Sequence, residues 1–155
     1  MDEKHSTDHA DAAGFKIYEL LFGLIVSQGI YVAAKLSIAD LIEKRPMNAD
    51  ELAAATNTNP QSLRRVLEML ASKGVFTEGE DGRFRNTPMS ATLCSDAPLS
   101  MRDVSLMLGV HFVRSAWGNY STRCAPGEPA FEHIHGMPLF SYLSANPEDA
   151  ALLSA

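Results

Sequence analysis

The sequence predicts a mainly α-helical fold carrying one small β-hairpin, and three observations predict it. Between Asn48 and Gly74 two helical segments, each with its own start signal, follow one another across a three-residue turn. Immediately afterwards "VFTEGEDGRFRN" reads as two short strands around a Gly-Glu-Asp-Gly loop. On both flanks the apolar residues recur at helical spacing, not in alternation. Helix, turn, helix and hairpin in that order make a winged helix-turn-helix, with extra helices before it and after it.

Taken in order, residues 1–12 are polar and acidic and predict a disordered tail. The first helix is expected from Ala13 to Ser27, with Ile17, Leu20, Leu21, Leu24 and Ile25 as one stripe and Phe22 and Val26 off it. A helix apolar on more than one side must be covered on more than one side. Two readings follow: a central core helix, or a helix buried between two subunits. Gly29 is expected to break the run. Tyr31–Lys35 then leads through Ser37 into "IADLIEK", and Pro46 ends that segment. Asn48 is placed to cap "ADELAAAT", with Glu51 three residues on, the spacing of a capping box. "NTN" makes the turn, Asn59 caps the next helix and Pro60 takes its first position. Leu63, Val66, Leu67 and Leu70 give that helix its buried stripe, and Gly74 is placed to end it. The strands are expected at Val75–Glu78 and Arg83–Asn86.

After Pro88 a long helix is expected through "SMRDVSLMLGVHFVRSAWGNYSTRC", followed by short helical pieces divided by Gly136, Pro138 and Pro147. Ala150, Leu152 and Leu153 open a further apolar stripe that reaches only Ala155, as though the helix were cut midway. The expected organisation is a tail over 1–12, a winged-helix unit over 13–97 and a helical segment over 98–155.

Composition narrows the function. The 155 residues are 46% hydrophobic and 21% charged, as in a folded globular protein. The net charge of −6 lacks the basic surplus on which nucleic-acid affinity rests. From Asn48 to Asn86 five basic residues face six acidic ones, and the wing tip "EGEDG" carries three carboxylates where phosphate would lie. Arg64 and Arg65 suit a solvated helix face as well as a DNA groove. Cys94 and Cys124 form no CxxC pattern, which fits a reducing cytoplasm. No basic region followed by an apolar one opens the chain, so no secretory signal is expected. The apolar stretch 17–42 is interrupted by Glu19, Ser27, Gln28, Lys35 and Asp40, and no membrane span is expected.

Chemical motifs are few. No two of the ten glycines are separated by a single residue, so no G-x-G cofactor loop occurs, nor does HExxH, G-x-S-x-G or a Walker pattern. His133 and His135 would point to different faces of a helix, which suits packing better than metal ligation. The aromatic and methionine positions 107, 112, 117, 131, 137, 140 and 142 suit a core or the wall of an apolar ligand pocket.

"KLSIADLI", "NADELAAATNTNPQSLRRVLEMLASKGVF", "GRFRNTPMSATL", "SAWGNY" and "GEPAFEHIHGMPLFSYLSANPE" together resemble the N-terminal dimerisation domain of S-adenosylmethionine-dependent O-methyltransferases of small molecules, both the bacterial hydroxyneurosporene-like and the plant caffeate-type branches. The resemblance covers nearly the whole chain from Gly14. It implies a winged helix that joins two subunits instead of reading DNA, with the first helices interlocked with a second copy. It implies that the glycine-rich cofactor loop and the catalytic histidine belong to a Rossmann-like half beyond this region. No catalytic, cofactor-binding or metal-binding residue is therefore assigned here, and S-adenosylmethionine belongs to the parent enzyme. Matched on Trp117-Gly118 and Gly136-Met137, the family's acceptor-pocket positions fall on Met107, Leu108, Val113, Leu139, Leu143, Asp149 and Leu153. Leu143 stands where the plant branch has a polar residue, and Asp149 where it has an aromatic one. The expected partners are a second copy and, in the full enzyme, a small aromatic or polyketide-type acceptor. A winged-helix transcription regulator, and a stand-alone dimer module serving a separate catalytic chain, remain the alternatives.

Overall fold

The structure is a computed structural model and describes residues 13–119 and 129–151. The expected tail, Cys124 and Leu153 lie outside the described residues. A first helix, α1, covers 13–21, and α2 follows at Gly23–Lys35. Backbone bonds from Phe22 N–H to Tyr18 and from Val26 N–H to Phe22 carry the helical ladder across the junction. The expected break at Gly29 is not there. Gly29 is buried in mid-helix, where an added Cβ would run into Met69 and Leu70. Its missing side chain, and not its flexibility, is what the fold uses: it lets the next-but-two helix approach the backbone of α2.

Ser37 turns the chain in the left-handed region (φ 52°) into α3, Ile38–Lys44. The helix-turn-helix then forms much as its signals require. α4 (Ala49–Thr56) has a complete capping box: Asn48 Oδ1 accepts from the Glu51 N–H and Glu51 Oε2 from the Asn48 N–H, both at 2.9 Å. Asn57 makes the turn at φ 52°, a conformation asparagine tolerates. α5 (Pro60–Ser72) starts on the Asn59 cap and ends on Gly74 at φ 73°. There the N–H of Val75 bonds to Leu70 and that of Gly74 to Ala71, the paired bonds of a Schellman ending.

The strands are one residue shorter at their starts than expected. β1 (Phe76–Glu78) pairs antiparallel with β2 (Phe84–Asn86), Phe76 opposite Asn86 and Glu78 opposite Phe84. Met47 bridges Phe84 from the other side and ties the entry of α4 to the wing. The core gathers Ile38, Leu52, Leu67, Leu70, Phe76 and Phe84 from five elements.

Beyond the wing come α6 (Pro88–Ala91), α7 (Arg102–Gly109), α8 (His111–Gly118), α9 (Ala130–His135), α10 (Leu139–Ala145) and α11 (Pro147–Ala151). The expected long helix is divided at Val110, which is extended (ψ 147°) and buried. The cause is tertiary. Gly109 lies against the ring and Cβ of Tyr31, where any side chain would collide, so α7 crosses α2 at this point and the chain must turn away. Val110 and Phe112, just beyond the crossing, are both buried.

Candidate functional site

Three faces of the molecule carry the chemistry. The first is the one a DNA-reading winged helix would present. Arg64 on α5 donates to Glu68 (2.7 Å) and to Glu78 on β1 (3.0 Å). Arg83 reaches Glu51 (2.6 Å), which also accepts from Arg45 (3.0 Å). Arg85 grips Asp81 through both terminal nitrogens. The Asn48 N–H and these arginines outweigh desolvation and hold the Glu51 carboxyl down at about 2. Arg85 does the same for Asp81, also at about 2. Phosphates approaching this face would have to displace carboxylates from guanidinium groups already satisfied.

The second face is apolar. Phe15, Ile17, Tyr18, Leu20, Leu21, Leu24 and Ile25 project from α1 and the start of α2 into open space, with Leu21 71% and Leu24 62% exposed. The stripe read from the sequence is thus real, yet no described residue covers it. Two apolar grooves continue the surface. One of about 450 Å3 runs between α2 and α7 past Val26, Val104 and Leu108. The other, about 500 Å3, lies over Val75, Met89 and Leu93. The helix Ala13–Lys35 is also long and apolar enough, by length and composition, to cross a bilayer.

The third face is the helical segment α8–α11. Phe112, buried, packs against Phe131 (centroids 6.4 Å apart) and Tyr142 (5.5 Å). The imidazole of His135 packs, tilted, against both Phe131 (4.3 Å) and Tyr142 (4.8 Å), with Nε2 beside Ser115 Oγ at 3.3 Å. His135 therefore packs, as its position suggested. Tyr142 donates its hydroxyl to Asp149 Oδ2 (2.8 Å), and that bond pushes its phenol pKa up. No residue of α9, α10 or α11 is fully buried, and Phe140 is 82% exposed.

The six described residues of those expected at an acceptor pocket fall on α7, α8, α10 and α11 without converging on one cavity. Leu108 lines the groove between α2 and α7, and Met107 beside it is exposed. Val113, Leu139 and Leu143 are half-buried on α8 and α10. Asp149 borders a separate recess of about 240 Å3 beside Asn146 and Glu148. The Tyr142–Asp149 bond and the packing of His135 against two aromatic rings were not visible in the sequence. Only the four-residue spacing of Phe131 and His135 hinted that the two share a helix face. Among the described residues, no three His, Cys, Asp or Glu side chains are placed to hold a metal ion.

Set beside known proteins, residues 18–96 match the O-methyltransferase dimerisation domain. That range takes in α2 through α6 and most of the uncovered apolar face. The chain belongs to this family. The phenazine O-methyltransferase PhzM of Lysobacter antibioticus is 44% identical over 132 residues, which are 85% of this chain and 38% of that protein. The crystal structure of LaPhzM superposes with a TM-score of 0.83 at 41% identity, covering 90% of this chain and 42% of that one. CalO1, a methyltransferase in calicheamicin biosynthesis solved in its SAH-bound form, superposes with a TM-score of 0.77 at 33% identity, covering 91% of this chain and 42% of that one. The chain thus spans about two fifths of the length of the relatives it matches. As a dimerisation domain it has a concrete surface problem to solve: seven large apolar side chains on α1 and α2 that no described residue covers.

Proposed function

We propose that this chain is the subunit-joining and acceptor-roofing part of a methyltransferase that transfers a methyl group from S-adenosylmethionine to a hydroxyl of a small aromatic or polyketide-type molecule. One observation carries the reading: the broad apolar face of α1 and α2 lies uncovered within and beside the segment that matches a dimerisation domain. A second copy is its cover, and residues 13–97 form the joining unit. Residues 98–155 form the roof, with Met107, Leu108, Val113, Leu139, Leu143, Asp149 and Leu153 turned to the acceptor. Leu153 is proposed on the resemblance alone. Apolar walls suit a flat aromatic acceptor, whose burial contributes roughly 25 cal/mol per Å2.

The cofactor and the general base belong to the other three fifths of the parent enzyme's length. A base there would take the hydroxyl proton while the methyl group moves in line, and holding the two reactants in register supplies much of the rate. This chain alone would be inactive. Its paired arginines and acidic wing argue against DNA as a ligand, and its unpatterned cysteines support a cytoplasmic location.

Sedimentation equilibrium and calorimetry on this chain test the reading together. The expected result is a dimer that releases no heat on titration with S-adenosylmethionine and binds neither mixed-sequence duplex DNA at physiological salt nor neutral lipid vesicles. A folded monomer, tight cofactor binding, or partition of α1 into vesicles would each overturn it.

A further inference from the structure

With no residue of α9, α10 or α11 fully buried, specific contacts must hold these helices against α8. Those of His135 reach across them. It ends α9, one turn after Phe131, and its ring packs against that phenyl and against Tyr142 of α10. Its Nε2 reaches back to α8, 3.3 Å from Ser115 Oγ and 3.4 Å from the Phe112 carbonyl oxygen. Tyr142 in turn donates to Asp149 Oδ2 on α11 (2.8 Å). A line of contacts thus runs from α8 through His135 and Tyr142 to Asp149.

Counting protons fixes the state of the imidazole. A carbonyl oxygen can only accept. The Ser115 hydroxyl has one proton and gives it to the same Phe112 carbonyl (3.0 Å), so it presents only lone pairs to His135. With a bare Nε2, that single hydroxyl proton would have to serve both the ring and the carbonyl. Turning the ring over would set Cε1 against the two oxygens and forfeit both bonds. A proton on Nε2 satisfies all three atoms. A ring lacking it could pack against Phe131 and Tyr142 equally well, but no hydrogen bond would tie it to α8.

We propose that His135 is a positioning residue of the acceptor roof: with its proton on Nε2 it tethers α9 to α8, and through Tyr142 it holds the Asp149 carboxylate in place. Leu139 and Leu143 share α10 with Tyr142 and are placed along with it. That Asp149 faces the acceptor rests on the proposed function; the tether is a property of this chain alone.

Nitrogen-15 NMR of the histidine-labelled chain reads the tautomer, the His135 signals being identified by their through-space contacts to the Phe131 and Tyr142 rings. A proton on Nε2 and a bare Nδ1 at mildly alkaline pH are the expected result. A proton on Nδ1 alone would overturn the tether. His135→Phe keeps a ring against Phe131 and Tyr142 but removes the N–H. In that variant, checked for native circular dichroism, Tyr142 should ionise at lower pH, by at least half the shift that Asp149→Asn produces. An unchanged Tyr142 titration would show that packing alone positions it, and would refute the proposal. If the variant does not fold, the tautomer in the unaltered chain still decides. In the parent enzyme His135→Phe should raise KM for the acceptor severalfold with kcat little changed. A shifted Tyr142 with KM unmoved would remove Asp149 from the acceptor site while the tether stands.

Discussion

Replacing Leu21 and Leu24 together with glutamate should separate the two subunits. Both side chains point outward from one face of the first helices, 71% and 62% exposed, so the monomer makes little use of them. Glutamate is a good helix former, and α1 and α2 should persist. Full burial of a leucine contributes about 2 kcal/mol. Weighted by the fractions still exposed, a partner that completes the burial gains ~1.4 kcal/mol from one and ~1.2 from the other. A two-fold dimer counts each pair twice, so about 5 kcal/mol is at stake, or between three and four orders of magnitude in Kd. Incomplete coverage lowers the figure, while the cost of burying a carboxylate raises it. Sedimentation equilibrium across a wide concentration range measures the change, with circular dichroism confirming that both proteins are folded. Phe140→Glu is the control. That ring is more exposed than either leucine but lies on α10, outside the matched segment, and its replacement should leave the dimer intact. If the double variant associates as tightly as the unaltered chain, or if Phe140→Glu dissociates it just as well, the assignment of the face is wrong.

Other outcomes follow from single contacts. Gly109→Ala forces a methyl group into Tyr31 at the crossing of α2 and α7; overpacking of about 1–3 kcal/mol less a helix-propensity gain of up to ~1 predicts a net loss of ~1–2 kcal/mol, read by calorimetry as a fall in Tm of roughly 3–8 °C. Leu67→Ala, at the centre of the core, should cost about 2–5 kcal/mol in urea unfolding without altering Kd for the dimer beyond what unfolding explains. Glu51 has its pKa lowered from 4.5 to about 2, so the stability it lends is complete above 4.5 and is lost as pH falls toward 2; Glu51→Gln should therefore melt below the unaltered chain at neutral pH and converge with it near pH 2. Asp149→Asn removes the anion that keeps the Tyr142 hydroxyl protonated, and ultraviolet titration should show one tyrosine ionising at lower pH than before.

What the sequence made legible was whatever its own neighbours decide. The capping box at Asn48 and Glu51, the Asn59–Pro60 start and the Gly74 ending are settled within four or five residues, and each stands where it was expected. Gly29 and Gly109 were not legible, for one shared reason. A glycine inside an apolar run signals a break when its flexibility is used and a close approach when its smallness is used. The local pattern is the same in both cases. Met69 and Leu70 decide it for Gly29, Tyr31 decides it for Gly109, and all three are distant in the chain. The result reverses both expectations: the helix runs on through Gly29 and stops just after Gly109.

The same logic governs the candidate site. Excess apolar surface on the first helix was plain from Phe22 and Val26 lying off the stripe, and it left two readings open, a core helix or a shared one. The choice depended on whether any other part of the chain reaches that face. The fold commits α5 and α7 to the later turns of α2, at Gly29 and Tyr31, and no described residue covers Leu21 and Leu24 at its start. The two glycines that misled the reading of the helices thereby bear on its function. By drawing the chain's own helices tightly onto the later turns of α2, they leave α1 and the first turn of α2 open to the proposed second copy. Loosening that packing with Gly109→Ala should weaken the dimer indirectly, through α2, even though Gly109 touches no part of the proposed interface. A variant that lost stability but kept its full affinity for a second copy would show that the two ends of α2 are independent.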